Sequence, residues 1–133
     1  MKLTRRYRFA ASHRLDVASL SPEENRRLFG KCNNPYGHGH DYVVDVTVDG
    51  RPDESGQVVN RATLDELVRE RILNRVDHKN LNCDVPELRG IVPTTENLAE
   101  ALRQALAQEW PLTARLSGVR ISETDRNTFE LRT

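Results

Sequence analysis

Polar and apolar residues alternate strand-fashion at both ends of the chain and follow a helical period in between. Over residues 2–12, Leu3, Tyr7, Phe9 and Ala11 hold one phase and Lys2, Thr4, Arg6 and Arg8 the other, which predicts a half-buried strand. A second strand is predicted over 40–49, with Tyr42, Val44, Val46 and Val48 on one face and Asp41, Asp45 and Asp49 on the other. TLDELVRERILNRV (63–76) sets Leu64, Leu67, Val68, Ile72 and Val76 on one helical stripe, with Thr63 and Glu66 available as a capping box. TTENLAEALRQALAQEW (94–110) does the same with Leu98, Ala101, Leu102, Ala105 and Leu106; Thr94 or Thr95 caps it and Pro111 limits its continuation. RLSGVRISE and NTFELR alternate as two closing strands joined across Thr124, Asp125 and Arg126.

The predicted order is therefore β-β-α-α-β-β. It implies an α+β layer, a four-stranded antiparallel sheet with both helices on one face and two open edges. DGRPDESGQ reads as a turn and DHKNLNCDVPELRGIVP as a connector, while SLSPEENRRLFGKCNNPYG (19–37) reads as a polar loop. Loops beyond about 12–15 residues in compact domains tend to be functional, and this one carries Cys32.

The phase of the strands decides where the histidines point. His38 and His40 are two residues apart, so they leave one face with Cβ atoms about 7 Å apart, and that face is the one continued by Tyr42 and Val44. His13 falls on the apolar phase of the first strand and offers a third inward imidazole, in competition with His78. Three neutral imidazoles meeting in a half-buried pocket suit zinc with an open fourth position, the catalytic form of such a site. Cys32 as a fourth ligand would close that position. It is better placed as a base or nucleophile, since a thiol of pKa about 8.5 gains thiolate beside a cation.

Two further groups have chemical potential. In DHKNLN, Asp77 could orient His78 as a proton relay, the competing reading being a histidine placed favourably at a helix C-terminus. Glu123 shares a face with Val119 and Ile121, and a carboxylate closing an apolar row needs a partner, such as adjacent N–H groups of a heterocycle.

Length and charge narrow the class. At 133 residues the chain is read as one domain, 1–133. Twenty basic and twenty acidic residues cancel, so no global field favours nucleic acid or an anionic membrane, and RRYR at 5–8 is a local cluster on a solvated strand face. Neither a signal-like N-terminal apolar run nor a membrane-length one is seen, which gives a cytoplasmic expectation, and Cys32 and Cys83 are expected as thiols.

FAASHRL, RRLFGKCNNPYGHGHDY, DHKNLN, TTEN and ISETDRN, in that order, resemble the blocks of the 6-pyruvoyl-tetrahydropterin synthase and 6-carboxy-tetrahydropterin synthase family over almost the whole chain. The resemblance implies the T-fold, in which subunits join sheet edges into trimers that stack as a homohexamer. It implies zinc on His13, His38 and His40, a catalytic Cys32, an Asp77 and His78 relay, and a pterin anchored by Glu123 with Thr94, Thr95 and Glu96 in the pocket wall, partly across a subunit boundary. The implied reaction turns 7,8-dihydroneopterin triphosphate into 6-pyruvoyl-tetrahydropterin and triphosphate, with Mg2+ as counter-ion and no external oxidant.

The nearest rival is the 6-carboxy enzyme of the deazapurine (queuosine) pathway, whose motif usually has three residues between cysteine and HGH. Here five separate Cys32 from His38, which favours the pyruvoyl enzyme. A zinc-stabilised pterin-binding scaffold is a further alternative, disfavoured by the intact set of Cys32, Asp77, His78 and Glu123. A general metallohydrolase would want a carboxylate base near zinc. Tyr36 and Ser122 depart from the side chains common at their positions without touching this chemistry.

Overall fold

A computed structural model describes residues 1–133. Strand β1 (Lys2–His13) pairs antiparallel with β2 (His38–Asp49) along their whole length, from Lys2 opposite Asp49 to His13 opposite His38. Strand β4 (Arg115–Ser122) adds antiparallel to β2, and β5 (Thr128–Arg132) to β4. Helix α2 (Arg61–Val68) runs through a π turn (Arg69–Leu73) into the short α3 (Asn74–Val76). Helix α4 (Thr95–Ala107) packs beside it.

The alternation of the strands and the helical stripes close on one another as expected. Tyr42, Val44, Val46, Val48, Val119 and Ile121 of the sheet and Leu64, Val68, Ile72, Val76, Leu98, Leu102 and Leu106 of the helices are buried in one cluster. Burying such side chains contributes roughly 1.5–3 kcal/mol each relative to exposure, and this term holds the helices on a single face of the sheet. The opposite face is polar. There Asp45, 5% exposed, takes two hydrogen bonds from Arg6 and one from Arg120, tying β1, β2 and β4 together.

Four details differ from the sequence-based expectation. The sheet has five strands, ordered β3-β1-β2-β4-β5, and is mixed, because β3 (Lys79–Asn80) runs parallel to β1 opposite Ala11 and Ser12. Two residues have too little alternation to announce a strand. The 19–37 segment is also more than a loop: α1 (Pro22–Phe29) starts at Ser21, whose hydroxyl accepts from Glu24 N–H while Glu24 accepts from Ser21 N–H. Asn60, not Thr63, caps α2, accepting from Thr63 N–H at 3.0 Å, so the helix begins earlier than its apolar stripe. Finally β2 begins at His38, so both histidines of GHGH lie within the strand. Thr94 is the residue that caps α4.

Candidate active site

His13 is the last residue of β1 and only 1% exposed. Its Nδ1 lies 2.8 Å from the carbonyl oxygen of Pro93, which can only accept, so Nδ1 carries the proton and Nε2 of the neutral ring presents a bare lone pair. The Tyr42 hydroxyl stands 3.5 Å from the same Nδ1. A histidine held this way at one nitrogen is oriented for a metal at the other.

The register sets Ala11 opposite His40, one alternate position up the ladder from His13 and His38, and this brings the inward rings together. His40 Nε2 is 3.0 Å from His13 Nε2, 2.8 Å from Glu123 Oε1 and 3.5 Å from Cys32 Sγ. A single N–H on His40 can serve one of these three neighbours. Donor atoms of His13, Cys32, His40 and Glu123 all lie within 4.8 Å of one another.

This donor set fits a zinc ion. Two nitrogens bound tetrahedrally at about 2.0–2.1 Å sit roughly 3.3 Å apart, close to the 3.0 Å between the two Nε2 atoms. Neutral imidazole is a ligand that zinc accepts, and the Cys32 sulfur and Glu123 carboxylate stand close enough to meet a molecule bound to the ion. Burial lowers the pKa of His13 and of His40, against the opposing pull of the Glu123 charge, so both rings are biased toward the neutral form that binds metal. Burial, then Glu123, pushes the Cys32 thiol up. A cation among these groups would reverse that direction for the thiol.

His38 is half-buried, with its ring centroid 4.8 Å from that of His40 at a near-perpendicular 76°. It stands beside the four-residue group rather than within it. Glu123 follows the last residue of β4 and turns inward; its Oε2 accepts from the Thr95 hydroxyl at 2.5 Å while Oε1 faces His40. Thr95 is buried in the first turn of α4, Thr94 spends its hydroxyl on the Asn97 N–H, and Glu96 is exposed.

Asp77 and His78 do touch, with His78 Nδ1 3.0 Å from Asp77 Oδ1, which also accepts from the Ala10 N–H at 3.0 Å. The backbone of His78 is left-handed (φ 61) and its N–H donates to the Ala10 carbonyl. Its side chain, however, is 82% exposed and lines a groove of about 540 Å³ with Ala10, Ala11, Ser12, His40, Asp41 and Lys79. The groove thus shares His40 with the cluster, but neither Asp77 nor His78 is among the four side chains whose donor atoms converge.

Sequence reasoning missed three contributors. The Pro93 carbonyl lies 80 residues from His13 and has no side-chain signature. Tyr42 reads as plain core by its phase, although its hydroxyl approaches His13. Gly37 adopts φ +79, and a Cβ there would stand 2.6 Å from the His13 carbonyl oxygen. The Gly before HGH was the available signal, since only glycine tolerates both demands.

Comparison with known proteins identifies the family. The family model of 6-pyruvoyl tetrahydropterin synthase matches residues 2–133. The 6-pyruvoyl tetrahydrobiopterin synthase of Homo sapiens is 48% identical over 127 residues, spanning 95% of this chain and 87% of that protein. The enzyme of the same name from Poecilia reticulata is 47% identical over 126 residues, 94% of this chain and 85% of that one. The solved structure of Caenorhabditis elegans 6-pyruvoyl tetrahydropterin synthase superposes with a TM-score of 0.89 at 37% identity, covering 100% of this chain and 95% of that one. With its fold and nearly its whole length matched, the chain belongs to the 6-pyruvoyl tetrahydropterin synthase family.

Proposed function

We propose that the protein is a zinc-dependent lyase converting 7,8-dihydroneopterin triphosphate into 6-pyruvoyl-tetrahydropterin with release of triphosphate. The observation that carries this reading is the convergence of His13, His40, Cys32 and Glu123 on one point, with His13 fixed in the metal-binding tautomer by Pro93. His13, His38 and His40 hold the metal in this reading, His38 being the adjacent ring. A zinc ion held there would supply Lewis acidity toward the side-chain hydroxyls of the substrate, which would make the neighbouring C–H bonds more acidic.

The chain's own groups do the rest. Cys32, unbound to metal, takes the activated proton as a thiolate. Glu123 accepts adjacent N–H groups of the pterin ring, with Thr95 holding its second oxygen and Thr94 and Glu96 in the pocket wall. Oxidation of C1′ to a ketone sends one electron pair into the ring, reducing the dihydropterin to the tetrahydropterin. Loss of the C2′ proton expels triphosphate from C3′, and the enol so formed becomes the second ketone with a methyl at C3′, so no outside oxidant enters. Mg2+ accompanies the triphosphate as counter-ion.

Asp77 and His78 act as the proton relay in trans. They stand outside the four converging side chains and His78 is largely exposed, which supports a site completed by a neighbouring copy. Edge strands β3 and β5 carry unpaired backbone groups that joining between copies would satisfy, in keeping with a homohexamer built from two trimers. No helix is long and apolar enough to cross a membrane. We place the reaction in the cytoplasm.

The test is incubation of purified protein with 7,8-dihydroneopterin triphosphate, with and without a chelator, and identification of the pterin products by mass. The pyruvoyl product, lost on chelation, is expected. A 6-carboxy product would move the assignment to the deazapurine enzyme, and tight pterin binding without turnover would leave a scaffold.

A further inference from the structure

Cys32 lies in a four-residue 3-10 turn (Gly30–Asn33), with no strand to hold its thiol in register. Its own hydrogen-bond neighbour, His40 Nε2 at 3.5 Å, is a long contact to sulfur. What fixes the turn is a two-point grip on one residue. The Leu15 N–H donates to the Cys32 carbonyl at 2.7 Å, and the Asn33 side-chain amide donates to the Leu15 carbonyl at 2.7 Å. The same amide nitrogen donates its second hydrogen to Asp16 Oδ1 at 3.0 Å.

We propose that Asn33 is a positioning residue for the Cys32 thiol: its amide is the side-chain half of a clamp on Leu15 that sets the sulfur against the histidine cluster. The proposal rests on the reading of Cys32 as the proton acceptor. Leu15 is buried and lies two residues beyond His13, so the clamp references the thiol to the same strand end that carries the metal-facing imidazole. Together the two bonds reproduce what a β-ladder gives a strand residue, N–H and C=O both engaged, in a segment that has no ladder.

The residue type is required by the chemistry of the partners. Both partners of the amide nitrogen are acceptors, a carbonyl and a carboxylate, so the position needs two hydrogens on one atom. Aspartate has the same shape and no donor, and would set a second carboxylate against Asp16. Alanine leaves the Leu15 carbonyl unpaired. Asn33 is itself buried, so water does not replace the lost bonds.

The experiment uses zinc-loaded protein in a Cys83→Ser background, so that iodoacetamide labelling reports Cys32 alone. Asn33→Asp is expected to keep zinc and KM, to lower kcat by about 10²-fold, the scale of a misplaced reacting group, and to speed Cys32 labelling severalfold as the thiol loosens into solvent. Labelling and kcat equal to the parent's would overturn the proposal, as would loss of zinc along with activity, which would mean general collapse. Where Asn33→Asp does not fold, Asp16→Ala removes one acceptor only, and smaller changes of the same sign are expected; none would count against the clamp. If Cys32→Ala turned over normally, the functional reading would fall, while the labelling arm would still decide whether Asn33 holds the thiol.

Discussion

Replacing Gly37 with alanine forces a Cβ to within 2.6 Å of the His13 carbonyl oxygen and 3.0 Å of its carbonyl carbon. Both obstacles are backbone at the end of β1, so no side-chain rotation relieves the clash. Two costs add. A residue with a Cβ held at φ +79 loses about 1–2 kcal/mol relative to glycine, and the overlap adds about 1–3 kcal/mol of the kind seen in overpacked cores. The total of roughly 2–5 kcal/mol corresponds to a fall in Tm on the order of 10 °C for a chain of this size.

The more specific effect is on metal. Restoring an ordinary contact moves the His13 backbone by a few tenths of an ångström, comparable with the tolerance of about 0.2 Å on metal–ligand distances. Because His13 Nδ1 is tied to Pro93, the ring cannot simply follow the backbone, and zinc affinity should fall by about 10–100-fold, as when an outer contact of a ligand is lost. Competition against a chromophoric chelator measures the affinity and calorimetry the melting point. Gly39→Ala is the control: in the same GHGH motif its added Cβ meets nothing within 4 Å. If the two variants bind zinc and melt alike, the close approach at Gly37 is not what seats His13.

Cys32→Ala should retain zinc and fold while losing about 10²–10⁴ in turnover, the scale of a removed general base, and metal analysis showing loss of zinc would make the sulfur a ligand instead. His40→Ala and His38→Ala should each empty the metal position, with full zinc content in either variant striking that residue from the ligand set. Cys32→Ala and His78→Ala, each inactive alone, should regain activity when unfolded together and refolded as mixed oligomers; no recovery would return the relay to its own chain. Arg6 first, then Arg120, hold the Asp45 carboxyl below the usual carboxylate range, opposed by its burial. A depressed folded pKa gives stability that is present above about pH 4 and lost as pH falls through the folded value. Asp45→Asn should therefore melt below the parent at pH 7, by the equivalent of about 1–3 kcal/mol once the half-exposed arginines are discounted for solvent screening. The gap should close in strong acid, and a pH-independent gap would mean the loss is not ionic.

Much of this protein was legible in its residues because strands and helices encode their phase locally. The alternation around Val44 and Val46 and the stripe from Leu64 to Val76 told which faces would be buried, and the same phase turned His13 and His40 inward before any fold was known. Glu123, continuing the row of Val119 and Ile121, followed the same rule. The capping box of Ser21 and Glu24 was present in the sequence too, but α1 buries little more than Asn25 and so lacks the apolar stripe by which a helix is recognised.

Tertiary structure alone decided the partners that are backbone groups or lie far along the chain. The Pro93 carbonyl that sets the tautomer of His13, the Ala10 N–H and C=O that seat Asp77 and His78, and the Leu15 peptide gripped from Cys32 and Asn33 belong to groups every residue has. Nothing in a side-chain pattern distinguishes one carbonyl from another. The two-residue strand β3 and the exposure of His78 depend likewise on where the chain returns after α3. Local chemistry determines which way a side chain faces; only the packed chain determines what it meets.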